Sequence, residues 1–168
     1  VKKPNKEIER KFLVKNKDFL KPEQGLFIQQ GFLSTDKERV VRVRIAGTKA
    51  YLTVKGIMHH VSRSEFEYEI PVDDARILLD QICEKPLITK LRHEIWVGGF
   101  LWEVDEFLGE NEGLIIAEIE LQSEHQSFEI PEWLSEEVTN DPKYYNSNLI
   151  KYPFKRWSLN PGVKKKLK

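Results

Sequence analysis

Hydrophobic and charged positions alternate with a period of two along most of the chain between residues 7 and 122. Segments near 7–14, 26–33, 39–46, 50–55, 63–70, 88–96, 100–107 and 115–122 carry this repeat or the β-branched and aromatic enrichment of strands. Turn-forming groups separate many of them: AGTK at 46–49, KGIMHH at 55–60, VGG at 97–99 and GENEG at 109–113. Many strands with short connections predict an antiparallel sheet or barrel. The period changes in PVDDARILLDQICEKP, where Ala75, Leu78, Leu79 and Ile82 recur at helical spacing. Asp73 and Asp74 complement the amino end of that helix, and Pro86 lies just past its finish. Further helical segments are expected after Pro131 in PEWLSEEV, near YYNSNLIK, and as a turn within 15–24.

Side chains two apart share a face of a strand. One face of the expected strands carries Ile8 and Phe12; Val41, Val43 and Ile45; Phe66, Tyr68 and Ile70; Trp102 and Val104; Ile119 and Leu121. The other carries Glu7, Glu9 and Lys11; Arg42 and Arg44; Thr53 and Lys55; Arg63, Glu65, Glu67 and Glu69; Lys90 and Arg92; Glu103 and Asp105; Glu118 and Glu120. For any single strand, a sheet with one wet face is the plain reading. Two features favour another. The polar face is almost wholly ionised, and within a strand the charges come as like-signed pairs.

Like charges two apart on a strand lie roughly 6.5–7 Å from each other and repel. A sheet built for stability alone would interleave signs. Segregation makes sense where something else supplies the countercharge: a polyanion for the basic pairs, a hard divalent cation for the acidic ones. Both on one wall describe a metal–polyphosphate site. The charged face is therefore expected to look inward, with about eight strands closing a barrel. The apolar faces then look outward, under the helices, the chain ends or a second subunit.

Composition narrows the partners. The 168 residues contain 27 Lys plus Arg and 27 Asp plus Glu, so no global field draws nucleic acid or a membrane surface. The polar N-terminal stretch and the lack of a long apolar run make a cytoplasmic protein the default expectation, with a homodimer as one assembly state. A single cysteine, Cys83, excludes an intrachain disulfide and a multi-cysteine zinc site, and is read as a small core residue of the helix. His59, His60, His93 and His125 lack metalloprotease spacing, and no P-loop is present. Trp96, Trp102, Trp133 and Trp157 are read as packing residues. Residues 1–156 read as a single domain, followed by a basic tail over 157–168.

The segment Glu7-Ile8-Glu9-Arg10-Lys11 has the E-x-E-x-K pattern of the CYTH family, the triphosphate tunnel metalloenzymes. The blocks QGFLS, VRVR, LTVKG, SRSEFEYEIP, TKLRHE, WEVDEF, GLIIAEIEL and EVTNDPKYYNSNL follow in the order of its short bacterial members, so the chain resembles them from about Glu7 to Leu149. The resemblance implies a mainly β, α+β fold: an eight-stranded antiparallel tunnel with a charged interior and flanking helices. It implies hydrolysis of inorganic triphosphate to pyrophosphate and phosphate with Mg²⁺ or Mn²⁺. Lys11, Arg42, Arg44, Lys55, Lys90 and Arg92 would hold phosphates, and Glu7, Glu9, Asp105, Glu118 and Glu120 would hold metal. Lys55, Glu67 and Lys11 would take part in the chemistry, with Glu65 and Glu103 as secondary acids. Nucleoside or thiamine triphosphate hydrolysis, adenylate cyclisation, and polyphosphate binding with weak turnover are the other readings of the same scaffold. One position departs from the family pattern: Phe32 stands where Tyr is usual, so a phenol–Lys55 dyad cannot form.

Overall fold

Each alternating segment of the sequence forms a strand in the computed structural model, which describes residues 5–157. The strands are β1 (Lys6–Val14), β2 (Leu26–Ser34), β3 (Val40–Ala46), β4 (Lys49–Lys55), β5 (Ser62–Ile70), β6 (Ile88–Val97), β7 (Phe100–Phe107) and β8 (Ile115–Glu120). They pair antiparallel in the order β5-β4-β3-β2-β6-β7-β8-β1. β1 then returns to β5, with Lys6 opposite Ser64 and Ile8 opposite Ser62, which closes an eight-stranded barrel. The basic tail expected over 157–168 lies, apart from Trp157, outside the described residues.

The segment PEWLSEEV does not form the helix expected of it. It supplies a ninth strand, β9 (Leu134–Glu137), beside β1, with Phe12 opposite Glu137 and Val14 opposite Leu134. Tertiary pairing overrides local preference here. β1 engages β8 on one side, and its other edge beyond Ile8 needs partners for its peptide groups. The Lys15 N–H donates to the Trp133 carbonyl (3.0 Å) and the Val138 N–H to that of Lys11 (2.8 Å), while Leu134 is buried.

The expected helix forms as α1 (Val72–Ile77) and continues through a π-turn over Leu78–Ile82. The wider turn, closed by Cys83 N–H to Leu78 carbonyl (2.8 Å), puts Ala75, Leu79 and Cys83 on the buried side. Ile82, expected on that side, is 61% exposed. The chain after the helix approaches β2 closely: a Cβ on Gly31 would stand 2.8 Å from both Cys83 and Leu87. Short 3-10 turns occur at Pro22–Gln24 and Pro142–Tyr144, followed by α2 (Asn146–Leu149), as the sequence leads one to expect.

Three apolar clusters surround the charged bore. Phe12, Trp102, Val104, Ile119 and Leu121 form one outside β1, β7 and β8, beneath Phe19, Phe128 and Trp133. Val43 and Ala50 meet Ala75, Leu79 and Cys83 in the second. The third fills one end of the barrel: Phe32, Ile88, Phe107 and Ile116 come from its strands and Leu149 and Ile150 from the α2 segment. The outer face is not fully covered. Val54, Phe66 and Tyr68 on β4 and β5 are exposed, and Trp96, expected to pack, is 70% exposed in the β6–β7 hairpin.

Candidate active site

Register and alternation bring the ionised residues of different strands onto facing rungs. Lys11 lies opposite Glu118, Glu9 opposite Glu120 and Glu7 opposite Arg63. Arg92 lies opposite Asp105, Lys55 opposite Glu65, and Thr53 opposite Glu67. Most of these cross-strand pairs join unlike charges and offset the repulsion within a strand, whereas Glu9 opposite Glu120 and Glu103 opposite Glu118 set carboxylates against carboxylates.

The bore holds two continuous chambers. The inner one, of ≈ 60 Å³, is lined by Lys11, Arg42, Lys55, Arg63, Lys90 and Arg92, with Phe32 and residues Tyr145–Ser147 at its blind end. The outer one, of ≈ 500 Å³, is lined by Arg42, Arg44, Glu65, Glu67, Glu103 and Glu120, among others. Glu9, Arg42, Lys55, Arg92 and Glu118 border both. Phe32 and Val40 of the apolar plug line the inner chamber and, among the described residues, none of the plug lines the wider one, so the plugged end is taken as the blind end and the wider chamber as the entrance.

The ion pairs are dense. Lys11 contacts Glu9 and Glu118, and Lys90 contacts Asp105. Lys55 bridges Glu7 and Glu65 at 2.8 Å each, while Arg63 reaches Glu7 at 2.7 Å. Arg92 grips both oxygens of Asp105 at 2.7 Å and touches Glu103 and Glu118. Glu67 accepts from the Thr53 hydroxyl (2.7 Å), Arg42 (3.2 Å) and Arg44 (3.2 Å).

Burial and these neighbours set the protonation states. Burial raises the Glu118 and Glu7 carboxyls, but the cations beside them outweigh it and hold both well below the usual carboxylate range. Burial raises the Glu9 carboxyl, and Glu118 adds to the effect beyond what Lys11 offsets. Burial, reinforced by Arg92, pushes the Lys90 ammonium down to about 8 despite Asp105. Burial and Arg42 lower Arg44. The Nε atoms of Arg42 and Arg44 are buried without a hydrogen-bond partner. Two crowded guanidiniums with unused donors, Arg44 in the outer chamber and Arg42 bordering both, form a receptor for an anion.

Among the described residues, no three His, Cys, Asp or Glu side chains stand grouped as a ready-made metal site. The chemistry of the donor set still fits a hard cation. Glu9, Glu118 and Glu120 bring carboxylate oxygens to one wall of the outer chamber, and the crowding of Glu9 by Glu118 is what a cation relieves. Asp105 stands apart: it is fully buried, held by Lys90 and Arg92, and borders neither chamber.

Three further residues gain a place in the site from the structure, although Asn146 already lay in the family-like block EVTNDPKYYNSNL. Arg63 shares the charged face but had no role beyond that. Gln30 sits on a strand whose inward positions Ile28 and Phe32 carry no charge signal. Asn146 arrives from a segment more than a hundred residues distant, bonded to Gln30 at 3.0 Å.

A closed antiparallel barrel with this blind, ion-paired bore defines a class of polyanion-binding barrels. The sequence profile of the CYTH domain matches residues 5–149, and the chain belongs to that family. It is 53% identical over 152 residues to an inorganic triphosphatase of Acetivibrio thermocellus, spanning 90% of this chain and 97% of that protein. It is 36% identical over 148 residues to an inorganic triphosphatase of Nitrosomonas europaea, spanning 85% of this chain and 95% of that protein. The crystal structure of the inorganic triphosphatase NE1496 superposes with a TM-score of 0.61 at 34% identity, covering 86% of this chain and 93% of that one.

Proposed function

We infer that this protein is a hydrolase that cleaves inorganic triphosphate to pyrophosphate and phosphate inside the bore, with Mg²⁺ or Mn²⁺ as cofactor. The observation that carries the reading is the half-buried pair Arg42 and Arg44, each with a buried, unpartnered Nε, lining the outer chamber with Lys55 and Arg92, while Arg42 also reaches the inner chamber that Lys90 lines. The names of the two similar proteins point to the same substrate.

The chain's own groups divide the work. The two arginine forks and Arg92 grip phosphate oxygens in the plane that guanidinium and phosphate share. Lys11, Lys55 and Lys90 supply compact charge deeper in, where water exclusion strengthens each contact. Glu9, Glu118 and Glu120, with Glu7 beside them, would hold the divalent cation, which polarises phosphoryl oxygens when bound. Asp105 is assigned to positioning: its carboxylate fixes Lys90 and Arg92 against the substrate. Glu67, held by Thr53 and both arginines on the wall of the outer chamber, would orient a water there. Glu65 and Glu103 tether Lys55 and Arg92 from the outer side. Attack by water oxygen on a terminal phosphorus breaks the bridging P–O bond, pyrophosphate leaves, and the proton passes to bulk through the carboxylates of the entrance.

Phosphate release from triphosphate, pyrophosphate, ATP and thiamine triphosphate with Mg²⁺ and with Mn²⁺ tests this. Fastest release from inorganic triphosphate is expected. Release that is faster from an organic triphosphate, or tight triphosphate binding without release under both metals, overturns the assignment.

A further inference from the structure

The blind end of the bore carries a polar contact that the ionic machinery does not use. Gln30 is completely buried, yet among the described residues the hydrogen bond of its side chain runs from Nε2 to Asn146 Oδ1 at 3.0 Å. Its Oε1 is buried with no partner at all. A carboxamide in that position costs stability unless it does something a leucine could not. What it does here is fix a neighbour: with Oδ1 of Asn146 taken by Gln30, the group Asn146 offers to the inner chamber, which it lines, is its –NH₂.

The segment that brings Asn146 is anchored, not mobile. Leu149 and Ile150 are buried in the apolar plug, Asn148 Nδ2 donates to the Pro142 carbonyl (2.8 Å), and the Tyr145 hydroxyl donates to that of Thr139 (3.3 Å). The inner chamber thus ends in a fixed wall whose polar face includes a neutral donor. Ionised phosphate oxygens only accept hydrogen bonds. A neutral –NH₂ there recognises such an oxygen without adding charge to an already cationic pocket.

We propose that Asn146, oriented by Gln30, binds the terminal phosphate of the substrate at the blind end of the bore, so that the site requires a phosphate chain with a free end. The proposal rests on the triphosphatase reading and adds to it a direction of entry and a residue that reads the terminus. Asn146 is a binding residue and Gln30 a positioning residue acting through it.

The test is triphosphate binding by calorimetry in the presence of a chelator, together with KM and kcat under metal, for wild type, Asn146→Ala, Asn146→Asp, Gln30→Met and the Gln30→Met/Asn146→Ala double variant. Loss of one hydrogen bond to a charged group predicts that Asn146→Ala weakens binding and raises KM about tenfold, with kcat changed by less than about threefold. Asn146→Asp, which turns a donor into a carboxylate, weakens both further. Gln30→Met raises KM by less than Asn146→Ala does, and the double variant is no worse than Asn146→Ala alone, as expected of residues acting in series. Cyclic trimetaphosphate, which has no terminus, neither displaces triphosphate nor is cleaved. Wild-type binding and KM in folded Asn146→Ala and Asn146→Asp overturn the proposal, as does competition by trimetaphosphate at concentrations near those of triphosphate. Those two variants decide the matter even where Gln30→Met fails to fold. A wild-type protein that neither binds nor cleaves triphosphate removes the parent reading instead, and this proposal with it.

Discussion

Glu118 shows how one buried carboxylate serves several partners. It contacts Lys11 and Arg92, and together with Lys90 they keep it ionised. A carboxyl depressed in the folded state contributes stability above its ordinary value near 4.5, and that contribution is lost as pH falls through the lower folded value. Glu118→Gln is therefore expected to reduce stability at neutral pH by about 1–3 kcal/mol, with a smaller deficit in acid, as measured by denaturant melts across pH. It should also raise the half-saturating metal concentration about 10–100-fold, read from metal titrations of activity. Unchanged metal dependence would remove Glu118 from the cation-binding set. Lys90 titrates from the other side. Its ammonium, pushed down to about 8, loses its charge as pH rises through that value, so kcat/KM for triphosphate should fall there. In Lys90→Arg, which stays charged, that alkaline limb should disappear from the pH profile. Phe32 lines the inner chamber with Lys55 and also belongs to the apolar plug. Phe32→Tyr adds a hydroxyl where the family usually has one and should raise kcat by about tenfold or more through proton transfer, measured by initial rates. An unchanged kcat would mean that Lys55 works without such a partner.

At the level of elements, the seam between β1 and β5 is short. Lys6–Ile8 pair with Ser62–Ser64, and the Glu65 N–H donates to the Asn5 carbonyl (2.9 Å). Past Ile8 that edge of β1 is taken up by β9, with Phe12 opposite Glu137 and the Val138 N–H donating to the Lys11 carbonyl (2.8 Å). Leu134 anchors β9 in the apolar cluster outside β1, β7 and β8. Leu134→Ala should therefore lower stability by about 2–4 kcal/mol in denaturant melts. An unchanged midpoint would show that β9 does not help to hold the barrel.

At the scale of the whole molecule, a chain with equal numbers of acidic and basic residues concentrates cations around one bore. Ligand that neutralises those cations binds the folded barrel and not the unfolded chain, so it stabilises the fold by mass action. Triphosphate at about a hundred times its dissociation constant should add roughly 2.7 kcal/mol of stability, seen as a rise in melting temperature. With chelator present the rise should be smaller and more sensitive to added salt, because the cations then act without the metal. A melting temperature indifferent to triphosphate would contradict an anion site in the bore.

The sequence alone determined the strands and the sorting of their faces, because a period of two is a local property that any strand must obey. VRVR and EIERK declare their charged sides before any partner is known, and the like-signed pairing within each strand shows that countercharge comes from elsewhere. What the tertiary structure decided was pairing between distant segments. It turned PEWLSEEV into a strand because β1 had an edge to fill, buried Asp105 away from the chambers between Lys90 and Arg92, and carried Asn146 to Gln30 across more than a hundred residues. None of these is written in a local period. Each depends on which groups remain unsatisfied once the barrel has closed, and the apolar plug at the end of the bore forms because inward residues of five strands meet Leu149 and Ile150 there.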